Sequence, residues 1–207
     1  MEFSNPESEV AAYGLDEVVG VLEQAEMAAR DGLWSVGFVT YDAAPAFNPS
    51  FAVRPRGQHE PLADLPLAWF GLFRERVEVR PFVGEARMDA SPYTVSPWIA
   101  SMDEDHYDEN VQRIRRLIAA DELKQVNYAL TLDAAISGDH YEFYRDLILS
   151  QRGGSGAYID LGRYRILSAS PERFFGVDGS AVTVRPTKGT ISRGRWSKED
   201  EANAARL

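Results

Sequence analysis

A lysine in a short loop that contains glycine is the residue of this sequence best suited to chemistry. Residues 185–190 read Arg-Pro-Thr-Lys-Gly-Thr, and Arg193 and Arg195 follow closely. Because neighbouring positive charges disfavour a protonated amine, they favour the neutral form of Lys188. A neutral amine acts as a nucleophile or a base, so the loop predicts covalent or proton-transfer chemistry.

A predicted hairpin brings Glu172 towards this lysine. Strand 173–177 is followed by Asp178 and Gly179, a pair typical of tight hairpin turns, and the chain returns through 181–185. A tight turn places its strand ends side by side, so we expect a carboxyl and an amine to face one cleft. This pair suits an amine nucleophile assisted by a proton donor. The alternative is a cross-strand salt bridge beside a basic surface loop.

Helices and strands that position this hairpin follow from apolar spacing. Helical spacing predicts a helix over 15–31, stopped by Gly32, and an apolar run predicts a buried strand over 67–73 that pairs with 77–83. Ser101 and Glu104 form a capping-box pattern that opens another helix, and Asp139 is expected to cap the next. A further helix is expected to begin near Ser197.

Residues 126–131 alternate in the manner of a strand. One face is apolar, whereas the other presents polar, uncharged residues that include Gln125 and Asn127. Such a face lies against solvent or against a wet cleft of ligand size, and spacing alone leaves both alternatives open.

Composition excludes several classes of function. The 207 residues include no cysteine, which rules out disulfides, thiol catalysis and cysteine-bound metals. The formal net charge of −10 argues against binding to nucleic acid through overall charge. The absence of cysteine fits a cytoplasmic protein, which we predict. The first residues lack the pattern of a signal peptide and no apolar run reaches transmembrane length, so we predict no membrane partner.

Two motifs of the sequence are specific, Ser-Pro-Glu-Arg-Phe-Phe at 170–175 and Arg-Pro-Thr-Lys-Gly-Thr at 185–190. They resemble motifs of the chorismate-utilising enzymes, and within that family those of the aminodeoxychorismate synthases. The family carries Ser-Pro-Glu-x-Phe and Pro-x-x-Gly-Thr, and the sixteen-residue step from Glu172 to Lys188 has the same length. Segments 37–47, 69–73 and 125–127 also resemble family segments, less specifically.

The resemblance implies amination of chorismate at C4 for 4-aminobenzoate and folate synthesis. Lys188 is implied as the nucleophile and Glu172 as the general acid, while Gly189, Thr190, Gln125 and Asn127 would contact chorismate. A glutamine amidotransferase subunit would supply ammonia. Mg²⁺ is the implied cofactor, with its glutamate ligands expected beyond Leu207 and none of them in this sequence.

The resemblance also implies an α+β fold of antiparallel sheets with helices packed outside, similar to that of anthranilate synthase. Residues 1–207 are expected to form one incomplete domain, with an amino-terminal region over 1–100 and the first part of the catalytic core over 101–207. We therefore expect a fragment that exposes apolar surface and has little activity alone.

Two alternatives to this function stay open. Anthranilate or isochorismate synthesis is one, although those enzymes usually carry alanine where this sequence has Lys188. A non-catalytic remnant that binds an amidotransferase is the other.

Overall fold

Short apolar runs separated by turns produce the predicted α+β fold, in which strands with a defined register pair antiparallel. The computed structural model describes residues 1–82, 92–151, 155–185 and 192–205. The chain divides into two compact units, one formed by residues 1–82 and 157–167 and the other by residues 83–156 and 168–207. The predicted division near residue 100 stays a prediction.

The first unit is a three-stranded sheet with one helix. Its elements are β1 (Ser8–Ala12), α1 (Val18–Arg30), β2 (Trp34–Val39), a 3₁₀ helix (Tyr41–Ala46) and β3 (Ala68–Phe73). The strand order is β1-β3-β2, with Val10 and Gly37 both opposite Phe70. Val18 and Val21 of α1 complete a core with Ala12, Ala43 and Ala68, all buried.

Strand β3 confirms the predicted apolar strand. The predicted pairing of this strand with residues 77–83 is wrong for residues 77–82, which the structure describes. Both edges of β3 are occupied by β1 and β2, so the chain after β3 has no free edge there. Val77 instead forms an isolated bridge with Glu2, through N–H···O distances of 2.8 and 2.9 Å. Residue 83 lies outside the described residues.

Helix α1 is shorter at its start than the predicted helix. The Glu17 carboxylate accepts hydrogen bonds from the backbone N–H groups of Tyr13 and Gly14, at 2.8 and 2.9 Å, and this closes a turn before the helix. At the other end Gly32 has a φ of +90°, which favours glycine and confirms the predicted stop.

In its described residues, the second unit contains short ladders and three helices. Its elements, with parts of β8 and β9 belonging to the first unit, are β4 (Tyr93–Val95), β5 (Ile99–Ala100), α2 (Glu104–Ala119), β6 (Leu132–Asp133), β7 (Ile136–Gly138), α3 (His140–Ser150), β8 (Ser155–Asp160), β9 (Arg165–Ser170), β10 (Arg173–Asp178), β11 (Ala181–Arg185) and α4 (Ser197–Ala204). Two-stranded sheets join β4 to β7, β5 to β6, β8 to β9 and β10 to β11.

The predicted capping residue of α2 is wrong. Asp103 is the N-cap, and its carboxylate accepts a hydrogen bond from the His106 N–H at 2.9 Å. Ser101 is engaged elsewhere, since its backbone N–H donates to Thr131 O at 2.8 Å and its hydroxyl accepts from Thr131 N at 3.1 Å. The sequence pattern therefore predicted a helix start in the correct region, but the capping residue is Asp103, two positions after Ser101.

The predicted strand over 126–131 is also wrong, because β6 begins only at Leu132 and pairs there with β5. Helix α3 confirms the predicted Asp139 cap, whose carboxylate accepts from the N–H groups of Tyr141 and Glu142. Helix α4 confirms the predicted start at Ser197. Within the described ranges, no helix is both long and apolar enough to cross a membrane.

Candidate active site

The turn between β9 and β10 positions Glu172. Ser170 ends β9, Arg173 begins β10, and Pro171 and Glu172 connect them. The Ser170 hydroxyl oxygen accepts a hydrogen bond from the Glu172 N–H at 3.1 Å, and the same hydroxyl donates to the Glu172 carbonyl oxygen at 3.0 Å. The Ser170 hydroxyl therefore constrains the backbone of Glu172, the predicted general acid, at both its N–H and its carbonyl group. Glu172 itself is exposed.

The hairpin of β10 and β11 confirms the predicted pairing. Its loop is Gly179–Ser180, because Asp178 pairs with Ala181, so the predicted turn residues are displaced by one position. Gly179 has a φ of +57°, whereas Ser180 is not in the left-handed region, which is the pattern of a type II′ turn. This turn returns β11 along β10 towards the end at which Glu172 lies.

A β-bulge interrupts the hairpin next to Glu172. Arg173 pairs with Arg185 and Gly176 pairs with Thr183, so Phe174 and Phe175 together oppose Val184. One extra residue in β10 reverses the alternation of faces before the bulge. The register of β10 is therefore shifted immediately after Arg173, the residue next to Glu172.

The Arg173 side chain fills the space that a side chain at position 176 would occupy. A Cβ atom at Gly176 would lie 2.3 Å from the Arg173 Nη2 atom. The guanidinium thus lies directly over the glycine, and the bulge and Gly176 form one local arrangement.

The predicted lysine and its neighbours Gly189 and Thr190 lie outside the described residues, and their roles stay predictions. The chain leaves β11 at Arg185, opposite Arg173 and one residue from Glu172. The ladder therefore brings Glu172 to the hairpin end from which the lysine loop departs, as the sequence predicts.

Gln125 and Asn127 lie between α2 and β6 and are exposed. Their segment is held by Tyr128, whose ring stacks on Tyr107 with centroids 5.4 Å apart and whose hydroxyl accepts from Asn110 at 2.8 Å. Contact with α2 thus replaces the predicted strand ladder. The substrate-binding roles of Gln125 and Asn127 stay predictions.

An ion pair that the sequence analysis missed joins Arg193 to Asp200. Its Nε and Nη2 atoms donate to the two carboxylate oxygens of Asp200 at 2.7 and 2.5 Å, and Gly194 N–H donates to the same carboxylate at 2.8 Å. The hydrogen bond from Arg193, followed by that from Gly194, lowers the pKa of Asp200. Arg193 therefore forms an exposed ion pair with Asp200 of α4.

The described ranges contain no set of side chains that could ligate a metal ion. Among the residues that the structure describes, no group of three histidine, cysteine, aspartate or glutamate side chains is arranged to hold a metal ion. The Mg²⁺ cofactor, whose ligands are expected beyond Leu207, stays a prediction.

The sequence did contain a signal for Ser170, the residue that the prediction overlooked. A serine side chain commonly bonds to the backbone of the residue two positions later in a turn, and Pro171 favours a turn at this place. Asp200 carried no comparable signal, because the spacing of an Arg–Asp pair across a loop and a helix follows no fixed pattern.

Comparison with known proteins gives the following matches. The sequence profile of a family described as chorismate binding enzyme matches residues 84–207. Aminodeoxychorismate synthase component 1 of Escherichia coli (strain K12) is 33% identical over 112 residues, which are 54% of this chain and 25% of that protein. The same component of Bacillus subtilis (strain 168) is 30% identical over 119 residues, 58% of this chain and 25% of that protein.

A differently named relative also matches. Anthranilate synthase component 1 of Thermus thermophilus is 33% identical over 108 residues, 52% of this chain and 23% of that protein. The chain spans about a quarter of the length of the curated relatives it matches. The resembling segments at 37–47 and 69–73 lie before the region that the family profile matches.

Proposed function

The chain belongs to the family of chorismate-binding enzymes, and on that premise we propose that it contributes to the amination of chorismate at C4. The product would be 4-amino-4-deoxychorismate, a precursor of 4-aminobenzoate and folate in the cytoplasm. The observation that carries the proposal is the hairpin register. It places Glu172 one residue before the Arg173–Arg185 pair, at the end from which the loop with Lys188 departs.

The proposed reaction has two balanced steps. First, the neutral Lys188 amine forms a C–N bond to the chorismate ring while the C4–O bond breaks, and Glu172 protonates the departing oxygen, which leaves as water. Ammonia then forms a bond at C4 as the bond to the lysine breaks, which restores the amine. A glutamine amidotransferase partner is the proposed source of ammonia.

Synthesis of anthranilate is the second candidate, because an anthranilate synthase component is as similar over about half the chain as the aminodeoxychorismate synthase components. Lys188 favours the first candidate, since a covalent step at C4 needs a nucleophile at this position. The two reactions give different products from the same reactants, and they are therefore separable in one assay.

Because the chain spans about a quarter of its relatives and is expected to have little activity alone, the test uses a full-length protein, one that contains this chain together with the part of the relatives' length that it does not span. This protein is assayed with chorismate and an ammonium salt, and the products are identified by mass spectrometry. We expect 4-amino-4-deoxychorismate, and its loss in Lys188→Ala. Lys198→Ala removes an amine of the same type from α4 and is expected to retain the activity. Without ammonia, a covalent adduct with the mass of chorismate less one water is expected on Lys188.

Three outcomes would contradict the proposal in different ways. Formation of anthranilate would assign the second candidate. Full amination by Lys188→Ala would remove the covalent role of the lysine. Absence of any chorismate conversion by the wild-type protein would support a non-catalytic remnant.

A further inference from the structure

The hydroxyl of Ser170 makes two hydrogen bonds to the backbone of one residue, Glu172. It bonds to both backbone polar groups of Glu172, accepting from the N–H at 3.1 Å and donating to the carbonyl oxygen at 3.0 Å. A hydroxyl can perform both tasks through one atom, since it carries a donor hydrogen and acceptor lone pairs. Pro171, which lies between the two residues, fixes its own φ and stiffens the same turn.

The described part of the ladder stops short of Glu172. The last described pair of the hairpin is Arg173 with Arg185, and the bulge at Phe174 and Phe175 already disturbs the register. Glu172 is the first residue beyond that pair. The two bonds from Ser170 thus supply a local constraint at the point where the ladder is disturbed.

We propose that Ser170 is a positioning residue for the general acid Glu172, an inference that rests on the proposed function. A general acid must lie within hydrogen-bonding reach of the oxygen that it protonates, about 2.6–3.2 Å. Displacement by roughly 1 Å can cost about a hundredfold in rate. Ser170 does not touch the reacting atoms. It sets the backbone from which the Glu172 side chain extends.

The first test compares Ser170→Ala, Ser170→Thr and Ser180→Ala in the full-length protein assayed with chorismate and ammonia. We expect Ser170→Ala to lower kcat about tenfold while the KM for chorismate changes less than about twofold, because positioning acts on the transition state. Ser170→Thr keeps the hydroxyl and should stay within about threefold of wild type. Ser180→Ala lies in the hairpin loop at the other end of the ladder and should have no effect.

A second measurement, hydrogen exchange of the Glu172 amide, needs no activity. Loss of the acceptor at Ser170 should speed exchange of this amide about fivefold or more in Ser170→Ala, while Ser170→Thr retains wild-type exchange. The Val21 amide, which donates to Glu17 O in α1, is the control and should exchange at the same rate in all three.

The outcomes separate this inference from the proposed function. An active wild type whose kcat is unchanged in Ser170→Ala overturns the positioning role alone. A Ser170→Ala effect confined to KM also overturns it. A wild type that does not aminate chorismate overturns the proposed function and the positioning role together, and the exchange data then show whether the turn itself was assigned correctly.

Discussion

The two units of this protein differ in how they exclude water. Apart from proline and glycine, ten hydrophobic residues are buried in the described ranges; nine lie in the first unit and only Tyr144 lies in the second. Helix α1 buries Val18, Val21 and Ala25 within 13 residues, whereas the described side chains of α2 include no buried residue over 16. The first unit is therefore held by apolar burial, and the second relies more on ladders, caps and polar contacts.

The strands show the same difference. Trp69, Leu72 and Phe73 of β3 are all less than 10% exposed, whereas Phe174 of β10 is 85% exposed and Val182 of β11 is 65% exposed. The expectation of exposed apolar surface is thus confirmed on the hairpin that carries the candidate site. Most of the second unit lies in the region that the family profile matches, and its described residues form the smaller core.

Truncation of one phenylalanine in each unit gives the largest expected contrast. Phe73 is 6% exposed and its ring packs against Phe3 with centroids 5.4 Å apart, so Phe73→Ala should lower the free energy of unfolding by about 3–5 kcal/mol. Phe174→Ala removes the same atoms from an exposed position and should cost less than about 0.5 kcal/mol. Urea unfolding followed by circular dichroism measures both. Equal losses of unfolding free energy in the two variants would contradict the proposed difference in burial between the two units.

A hydroxyl in the second unit provides the next test. Tyr93 donates a hydrogen bond to the buried carboxylate of Asp146 at 3.0 Å, and its ring packs edge-on against Phe143. Tyr93→Phe keeps the ring but removes the donor, so the free energy of unfolding should fall by about 1–2 kcal/mol. Tyr41→Phe, at a residue that is 84% exposed, is the control and should be neutral. A neutral Tyr93→Phe would show that polar contacts do not stabilise this unit.

Local patterns predicted elements better than they predicted partners. The helical spacing of Val18 and Val21 and the apolar run of β3 identified a helix and a strand correctly, because each depends on nearby residues. The pairing of β3 depends on strands distant in sequence, and residues 77–82 resemble a partner although both edges of β3 are occupied. The alternation over 126–131 failed for the same reason, since alternation does not supply a neighbouring strand.

The candidate site was predictable to a similar degree. Turn chemistry at Asp178 and Gly179 placed Glu172 at the correct end of a hairpin within one residue of register. The bulge opposite Val184 was not predictable, because two phenylalanines in a strand carry no signal of an extra residue. The bond between Arg193 and Asp200 also required the three-dimensional path of the chain.

The smallest expected effect concerns the cap of α2, where the second unit uses charge in place of burial. His106 Nδ1 lies 2.7 Å from Asp103 Oδ1 at the exposed helix start. The hydrogen bond with Asp103, followed by the charge of Asp103, raises the pKa of His106 above the ordinary value for histidine. Because the folded pKa is raised, this contribution to stability is fully present below the unfolded value. It is lost as pH rises through the folded value.

NMR titration of His106 in variants that lack the Asp103 charge tests whether Asp103 raises the pKa of His106. Asp103→Asn keeps a good N-cap but removes the negative charge, so the helix should persist while the pKa of His106 falls. Asp105→Asn removes the same charge from a neighbouring position in the first turn, and we expect a smaller change there because Asp105 makes no described bond to the imidazole. If both variants lower the pKa equally, the helix start acts as a diffuse negative field. A larger fall in Asp103→Asn supports a specific cap, the kind of local polar contact that takes the place of a core in this unit.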